Sequence, residues 1–340
     1  MNSICICGGG GLGHVIAGYL SAKNKITVNV LTRRPTLWGR TLEINTPDRE
    51  ILHGTLNKVS NQAATVISDA DIVLLCLPGY SIREELIKIA PYVKTGTFVG
   101  SVFSSTGFFF EASKIFDKCI PLWGFQRVPF ISRVVEYGHR ADLLGYKSSY
   151  NIAVERTTES DKAAFRKVIE WLFDRPTNLL NNYYEASFTN SNPILHPARL
   201  YSLFSDWFNG IYYDRNVLFY EEWNDLSSEL LIRMDHELFR LLEKLPVDPN
   251  YLQPILTYYE STDAGSLTRK ISSIEGFKGI ESPMIQTPEG WTPDFRSRYF
   301  QEDFPFGLKY IADQAKCEHV ETPIIDKVLA WGLDKCKQYA

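Results

Sequence analysis

Over the first third of the chain, short apolar runs alternate with segments of helical period. Ile4, Cys5, Ile6 and Cys7 run into four consecutive glycines, Gly8 to Gly11, and an apolar stretch from Leu12 to Leu20 follows at once. That order predicts strand, tight turn and helix. Ile26 to Leu31 reads as a second strand. From Trp38 to Gln62 the pattern is irregular, with turn signals at Thr46-Pro47-Asp48 and His53-Gly54, which predicts small strands inserted before the next crossover. Asp71 to Pro78, DIVLLCLP, is a short, nearly continuous apolar run closed by Pro-Gly, the pattern of a strand buried on both faces of a parallel sheet. Ile82 to Ala90 suits a helix, Thr97 to Val102 a strand, and Thr106 to Phe116 a helix. The alternation predicts an α/β domain built on a doubly wound Rossmann sheet.

Between Cys119 and Val154 the helical period is lost and short apolar runs return, which predicts strands completing or extending the same sheet. Ser160 to Phe173 has the pattern of an amphipathic helix capped by Ser160 or Asp161. Around Tyr183 to Glu185 the character changes. Leu226 to Leu245 places Leu230, Met234, Leu238, Leu241 and Leu245 three and four apart, and Phe306 to Cys317 and Pro323 to Cys336 read as two further helices. The pattern therefore divides the chain into residues 1–183, the sheet domain, and 184–340, an all-helical domain.

The glycine turn adds chemistry to that outline. Gly8, Gly10 and Gly13 satisfy G-x-G-x-x-G. The three serve a sharp turn, close approach of a pyrophosphate to the backbone, and close helix-to-strand packing. Gly8, Gly10, Gly11, Leu12 and Gly13 are therefore the candidate dinucleotide-binding turn, with the phosphates on the helix N-terminus. The end of the second strand bears on which dinucleotide is held. A ribose 2'-hydroxyl calls for Asp or Glu about 20 residues past the glycines, whereas a 2'-phosphate calls for arginine. Here the strand ends in Thr32, Arg33 and Arg34, and no acidic residue occurs from Gly8 to Leu42. The expectation is NADP(H) in preference to NAD(H), the bland alternative being two arginines that only solvate a loop. Leu77 and Pro78, at the carboxyl end of the apolar strand, are placed beside the cofactor, because ligands of such sheets bind beyond the strand ends.

Composition narrows the field by exclusion. A chain of 340 residues has room for two cores. A formal net charge of -4, without a basic tract or acidic tail, gives no sign of a nucleic-acid or membrane-surface partner. No apolar run approaches the roughly 18 residues of a membrane span, and the glycine turn begins too early to leave room for a signal peptide, so a cytoplasmic protein is expected. The six cysteines have no disulfide framework or complete zinc set, and Cys317 and His319, two apart on a helix, point in different directions. No metal is expected.

Two segments of the second half carry candidate chemistry. In Ser191 to Tyr201, SNPILHPARLY, Asn192 and His196 are four apart and share a face if helical, although Pro193 and Pro197 call for an irregular or kinked entry. Histidine is the natural proton carrier near neutrality, and a core histidine satisfied by a backbone carbonyl is the plain alternative. In Arg296 to Leu308, RSRYFQEDFPFGL, Arg298 is suited to a two-pronged grip on a carboxylate, and Glu302 or Asp303 to orienting a histidine. An ordinary charged loop, with Asp303 capping the helix that follows, fits the pattern equally well.

The glycine turn, the N-x-x-x-H-P element at Asn192 to Pro197 and the RY-x-x-EDFPFGL element at Arg298 to Leu308 together resemble the octopine/nopaline (opine) dehydrogenase family, related to the 6-phosphogluconate dehydrogenase-like two-domain dehydrogenases. The resemblance implies an N-terminal cofactor domain and a helical substrate domain. It implies NAD(P)H-dependent reductive condensation of a 2-oxo acid with the amino group of an amino acid. By the same resemblance His196 is the catalytic acid/base, Asp303 its carboxylate partner, Arg298 a ligand of a substrate carboxylate, and Asn192 a positioning group. A homodimer through the helical domain is an expectation of the fold only. Trp207, Phe208, Tyr212 and Tyr213 are candidates for the amine pocket. Two other readings stay open: a ketopantoate reductase-like reductase of 2-oxo acids or ketones, and a non-catalytic NADP-binding sensor. Against the first, no lysine occurs between Lys167 and Lys244.

Overall fold

The computed structural model describes residues 1–251 and 253–339, so residue 340, the last of the expected second domain, lies outside the described residues. The chain forms two compact units, Met1–Ser187 and Phe188–Ala340. The expected break at 183/184 falls at the start of a short helix, Tyr183–Phe188, within which the chain passes from one unit to the other.

The strands of the first unit are β1 (Ser3–Cys7), β2 (Thr27–Leu31), β3 (Thr41–Asn45), β4 (Ile51–Thr55), β5 (Lys58–Ser60), β6 (Ile72–Leu75), β7 (Phe98–Ser101), β8 (Leu122–Phe125), β9 (Phe130–Glu136), β10 (Arg140–Tyr146), β11 (Tyr150–Glu155) and β12 (Thr177–Leu179). Eight of them form one sheet in the order β12-β11-β8-β7-β6-β1-β2-β5. Every pairing in it is parallel except that of β8 with β11. Ile4, Cys5, Ile6 and Cys7 are at most 1% exposed, as are Ile72 to Leu75, because both faces of these central strands are covered. The covering helices are α1 (Gly11–Ser21), α2 (Ala63–Ile67), α3 (Gly79–Ile89), α4 (Phe108–Ile115) and α5 (Glu159–Phe173). The chain leaves β1 toward β2 on one side and later returns to lay β6 on the other. The crevice beyond the carboxyl ends of β1 and β6 is thus the switch point at which ligands of such sheets bind.

Two local expectations are corrected. The segment between Cys119 and Val154 does not simply extend the main sheet. β8 and β11 join it, but β9 and β10 form a separate four-stranded sheet with the inserted strands, in the order β4-β3-β10-β9. Glu43 pairs with Arg140 and Asn45 with Asp142, contacts that no local pattern announces. The cap of α5 is Thr158, not Ser160 or Asp161. The Thr158 side chain accepts the Asp161 backbone N–H, and Glu159 and Asp161 lie in the first turn, where the dipole favours negative charge.

The second unit is helical: α6 (Tyr183–Phe188) leads into it, followed by α7 (Asn192–Phe204), α8 (Asp225–Leu242), α9 (Ile255–Tyr258), α10 (Ala264–Ser272), α11 (Arg298–Asp303), α12 (Lys309–Cys317) and α13 (Pro323–Gln338). One hairpin, β13 (Met284–Thr287) with β14 (Gly290–Pro293), interrupts the helices and was not foreseen. α8 buries Met234, Leu238 and Leu241 of the expected stripe, but Leu231 and Leu242 complete it in place of Leu230, which is only partly buried, and Leu245, which is buried beyond the helix end. Among the described residues no helix is long and apolar enough to cross a membrane, and no group of three or more His, Cys, Asp or Glu is placed to hold a metal ion.

Candidate functional site

In the first unit the glycine turn is shaped by contacts that leave no room for side chains at two positions and open space at a third. Gly8 has φ +127° and donates its N–H to Leu31 O at 2.9 Å; a Cβ there would lie 2.5 Å from the carbonyl oxygen of Cys76. A Cβ on Gly13 would lie 2.2 Å from Gly8 O, so α1 packs on the turn only because position 13 is glycine. Around Gly10 nothing stands within 4 Å of where a Cβ would be. These are the sharp turn, the close packing and the open approach that a diphosphate requires. α1 opens at Gly11 with no capping side chain and no acidic residue in its first turn, so the N–H groups of Gly11, Leu12 and Gly13 have no intrahelical carbonyl to meet.

His14, which matches no motif, holds this turn in place. Its Nδ1–H donates to Gly10 O at 2.9 Å, and its Nε2 accepts the Gly138 N–H at 2.7 Å. The ring stacks on Trp38 at 4.2 Å and is wholly buried, and burial lowers its pKa from the ordinary value. A neutral ring with one donor and one acceptor nitrogen is what those two bonds demand. The segment between β9 and β10 is thereby tied to the turn.

Of the residues expected to choose the dinucleotide, Thr32 is buried at the end of β2, and Arg33 and Arg34 are exposed. Glu85 of α3 lies near enough to Arg33 to feel its charge, but the carboxyl is half-buried and that burial, the largest effect, raises its pKa. Leu77 is partly buried beyond the end of β6, and Pro78 stands at the N-terminus of α3. The structure places all of these along the carboxyl edge of β1, β2 and β6.

In the second unit α7 and α11 bring His196 and Asp303 together. His196 Nδ1 and Asp303 Oδ2 are 2.9 Å apart across 107 residues of sequence, with the two side chains 13% and 21% exposed. A carboxylate only accepts, so Nδ1 carries the proton and Nε2 is left as an acceptor. The Tyr220 hydroxyl donates to it at 2.9 Å. The alternative of a core histidine bonded to a backbone carbonyl is therefore set aside, as is Asp303 as a helix cap, since its side chain makes no capping bond. α7 is helical from Asn192 onward despite its prolines. Pro193 occupies the first turn, where its missing N–H is no loss, and the N–H groups of Ile194 and Leu195 are met by Ser191 O. Asp303 ends α11 where a π-helical turn, Phe304–Leu308, begins and carries Pro305 on toward α12. Such wide turns recur at functional sites. The helix expected from Phe306 thus has a longer lead-in, starting at Arg298.

Arg298 and Asn192 are both exposed at the N-terminal ends of α11 and α7, and among the described residues neither side chain has an ion-pair or hydrogen-bond partner. The amine-pocket aromatics do not form one group. Trp207 is buried against Phe295 and donates to Ile211 O, Tyr213 pairs with Trp291, and Phe208 and Tyr212 are exposed.

The pattern reading missed three residues around His196. Tyr220 lies on an irregular segment without periodicity. Tyr299 packs edge-on to the His196 ring at 4.9 Å and stands four residues before Asp303, on the same face of α11. Arg199, one turn after His196, is 0% exposed and donates to Phe219 O, Glu222 O, Leu218 O and the Ser227 hydroxyl. Burial lowers its pKa to about 10. An arginine on the otherwise apolar face of α7 was the available signal.

A parallel sheet with an open glycine turn at its switch point, followed in the same chain by a helical unit, is the plan of the two-domain nicotinamide-dependent dehydrogenases. Comparison with known proteins narrows the class. Residues 179–336 match the family described as NAD/NADP octopine/nopaline dehydrogenase, alpha-helical domain, and residues 4–103 match ketopantoate reductase PanE/ApbA. The chain is 28% identical to tauropine dehydrogenase of Arabella iricolor, over 97% of its own length and 90% of the relative's. It is 24% identical to octopine dehydrogenase of Pecten maximus, over 99% and 91%. The solved structure of octopine dehydrogenase with NADH and L-arginine superposes with a TM-score of 0.88 at 23% identity, covering 99% of this chain and 90% of that one. A yersinopine dehydrogenase with NADP+ bound follows at 0.73 and 13%, covering 99% and 91%. Residues 179–336 thus match an octopine/nopaline dehydrogenase helical domain, and the chain as a whole is similar to opine dehydrogenases in sequence and shares their fold.

Proposed function

We propose that the chain is an NADPH-preferring dehydrogenase that reductively condenses a 2-oxo acid with the amino group of an amino acid. The observation that carries this reading is the His196–Asp303 pair, a histidine with one nitrogen fixed as donor by a carboxylate and the other left basic. Condensation of the two substrates releases water and leaves an imine, and its reduction consumes one hydride and one proton. When bound, the reduced nicotinamide is the hydride donor. His196 Nε2 is the atom at which the chain holds and releases the proton, and Asp303 keeps the ring in that tautomer. Arg298, exposed and without a partner among the described residues, is the ligand for a substrate carboxylate, and Asn192 helps to position the substrate.

The preference for NADPH rests on Arg33 and Arg34 at the end of β2, with no acidic residue before Glu43. The relatives divide on this point: the octopine dehydrogenase structure holds NADH and the yersinopine dehydrogenase structure NADP+. Reduction of a 2-oxo acid without an amine is favoured only by the match of residues 4–103 to ketopantoate reductase, and that match covers the cofactor unit alone. The test is mass analysis of the product from NADPH, pyruvate and a mixed amino-acid pool. A secondary amine carrying both carbon skeletons supports the proposal, and lactate alone overturns it.

A further inference from the structure

The geometry points to Tyr220 as the conduit through which His196 exchanges its proton. This rests on the reading of His196 as the acid/base. Both ring nitrogens of His196 are occupied: Nδ1 by Asp303 and Nε2 by the Tyr220 hydroxyl, each at 2.9 Å. A proton can therefore leave or reach Nε2 in only two ways, through the Tyr220 oxygen or after Tyr220 swings aside.

The surroundings of Tyr220 decide between them. Its ring is 6% exposed, stacked on Phe277 at 4.1 Å and 19°, with Trp223 parallel to it at 6.3 Å and Phe219 edge-on at 4.8 Å. Its backbone is held by Arg199, whose guanidinium spans the carbonyls of Leu218, Phe219 and Glu222 on either side of residue 220. A ring stacked and bracketed in this way, on a segment tied at three carbonyls, does not swing. The hydroxyl remains as the route.

The Tyr299 ring, less buried than that of Tyr220, stacks on Phe219 and stands edge-on to the His196 ring, each at 4.9 Å. With Tyr220 donating to Nε2, the lone pairs of the Tyr220 oxygen are left to take up an incoming proton. A proton arriving at the Tyr220 oxygen displaces the Tyr220 proton to Nε2. One N–H bond forms, the hydroxyl gives up one proton and gains another, and no net charge is left on the tyrosine. Burial raises the pKa of both phenols, so neither rests as a phenolate. The reverse sequence returns the proton when the imidazolium acts as acid. Arg199 is a positioning residue in this scheme.

The test compares Tyr220→Phe, which keeps the ring and removes only the hydroxyl, with His196→Ala and the wild type on the same substrate pair. NADPH affinity and thermal midpoint serve as controls for folding. The expected result is a kcat for Tyr220→Phe lower by at least about 30-fold, with KM within about threefold, as for loss of a general acid/base relay. The solvent-deuterium proton inventory, curved in the wild type, becomes linear. A Tyr220→Phe kcat within about threefold of wild type, while His196→Ala loses about 100-fold or more, overturns the conduit and leaves the acid/base reading standing. Retention of activity by His196→Ala overturns that reading and the conduit with it.

Discussion

His196 Nδ1 and Asp303 Oδ2, 107 residues apart in the chain, meet at 2.9 Å. Neither helix holds its side chain in that place alone: α7 is carried through two prolines, and α11 ends at the π-helical turn that directly follows Asp303.

The first prediction concerns the charge of that pair. Asp303→Asn keeps the shape and removes the acceptor-only carboxylate, so the histidine loses its fixed tautomer and its partner for the cationic state. The expected result is a kcat about 10²- to 10³-fold lower with little change in NADPH affinity, measured by steady-state kinetics and fluorescence titration. A kcat within threefold of wild type would leave Asp303 a merely structural neighbour.

A second prediction concerns the dinucleotide. Removing both cations with Arg33→Ser and Arg34→Ser should weaken NADPH about 10- to 100-fold, the range of one or two charge-assisted hydrogen bonds, and leave NADH within about twofold. Equal affinities for NADPH in variant and wild type would reduce the two arginines to loop solvation.

Asp235 gives a prediction about stability that is independent of catalysis. It is 4% exposed on α8 and accepts the Ile255 N–H at 2.9 Å, and burial pushes its carboxyl up to about 6. A folded-state value above the unfolded one means that the folded chain holds this proton more tightly. The contribution to stability is therefore lost as pH rises toward and past about 6, and the buried charge is a cost at neutrality. Asp235→Asn, which keeps the acceptor for Ile255, should stabilise the protein by about 1–2 kcal/mol at pH 7. The gain should fade below about pH 5, as measured by denaturant unfolding across the pH range. A loss of stability of the same size at both pH values would contradict it.

How much of this was legible in the sequence varies with how local the cause is. β1, the glycine turn and α1 could be read directly, because the alternation, the glycines and the apolar helix are adjacent and each has its own physical requirement. β6 was legible as a strand covered on both faces. The sheet to which β9 and β10 belong was not, because membership is set by pairing Arg140 with Glu43, almost a hundred residues away in sequence. The cap of α5 was misplaced within Thr158–Asp161, a run in which several residues can cap and only the bond from Asp161 N–H decides. At the site, His196 and Asp303 stood out through motifs and Arg298 with them. Tyr220 could not, since an irregular segment gives no period from which to infer what it faces. Tyr299 could have been found as the residue one turn before Asp303 on its own face.

The most direct measurement follows the nicotinamide absorbance of NADPH with pyruvate, with and without a mixed amino-acid pool. The account predicts oxidation only when both are present, at a rate that falls at least about 100-fold in His196→Ala. Oxidation with pyruvate alone, unchanged by the amino acids, would contradict it and mark the chain as a simple 2-oxo acid reductase.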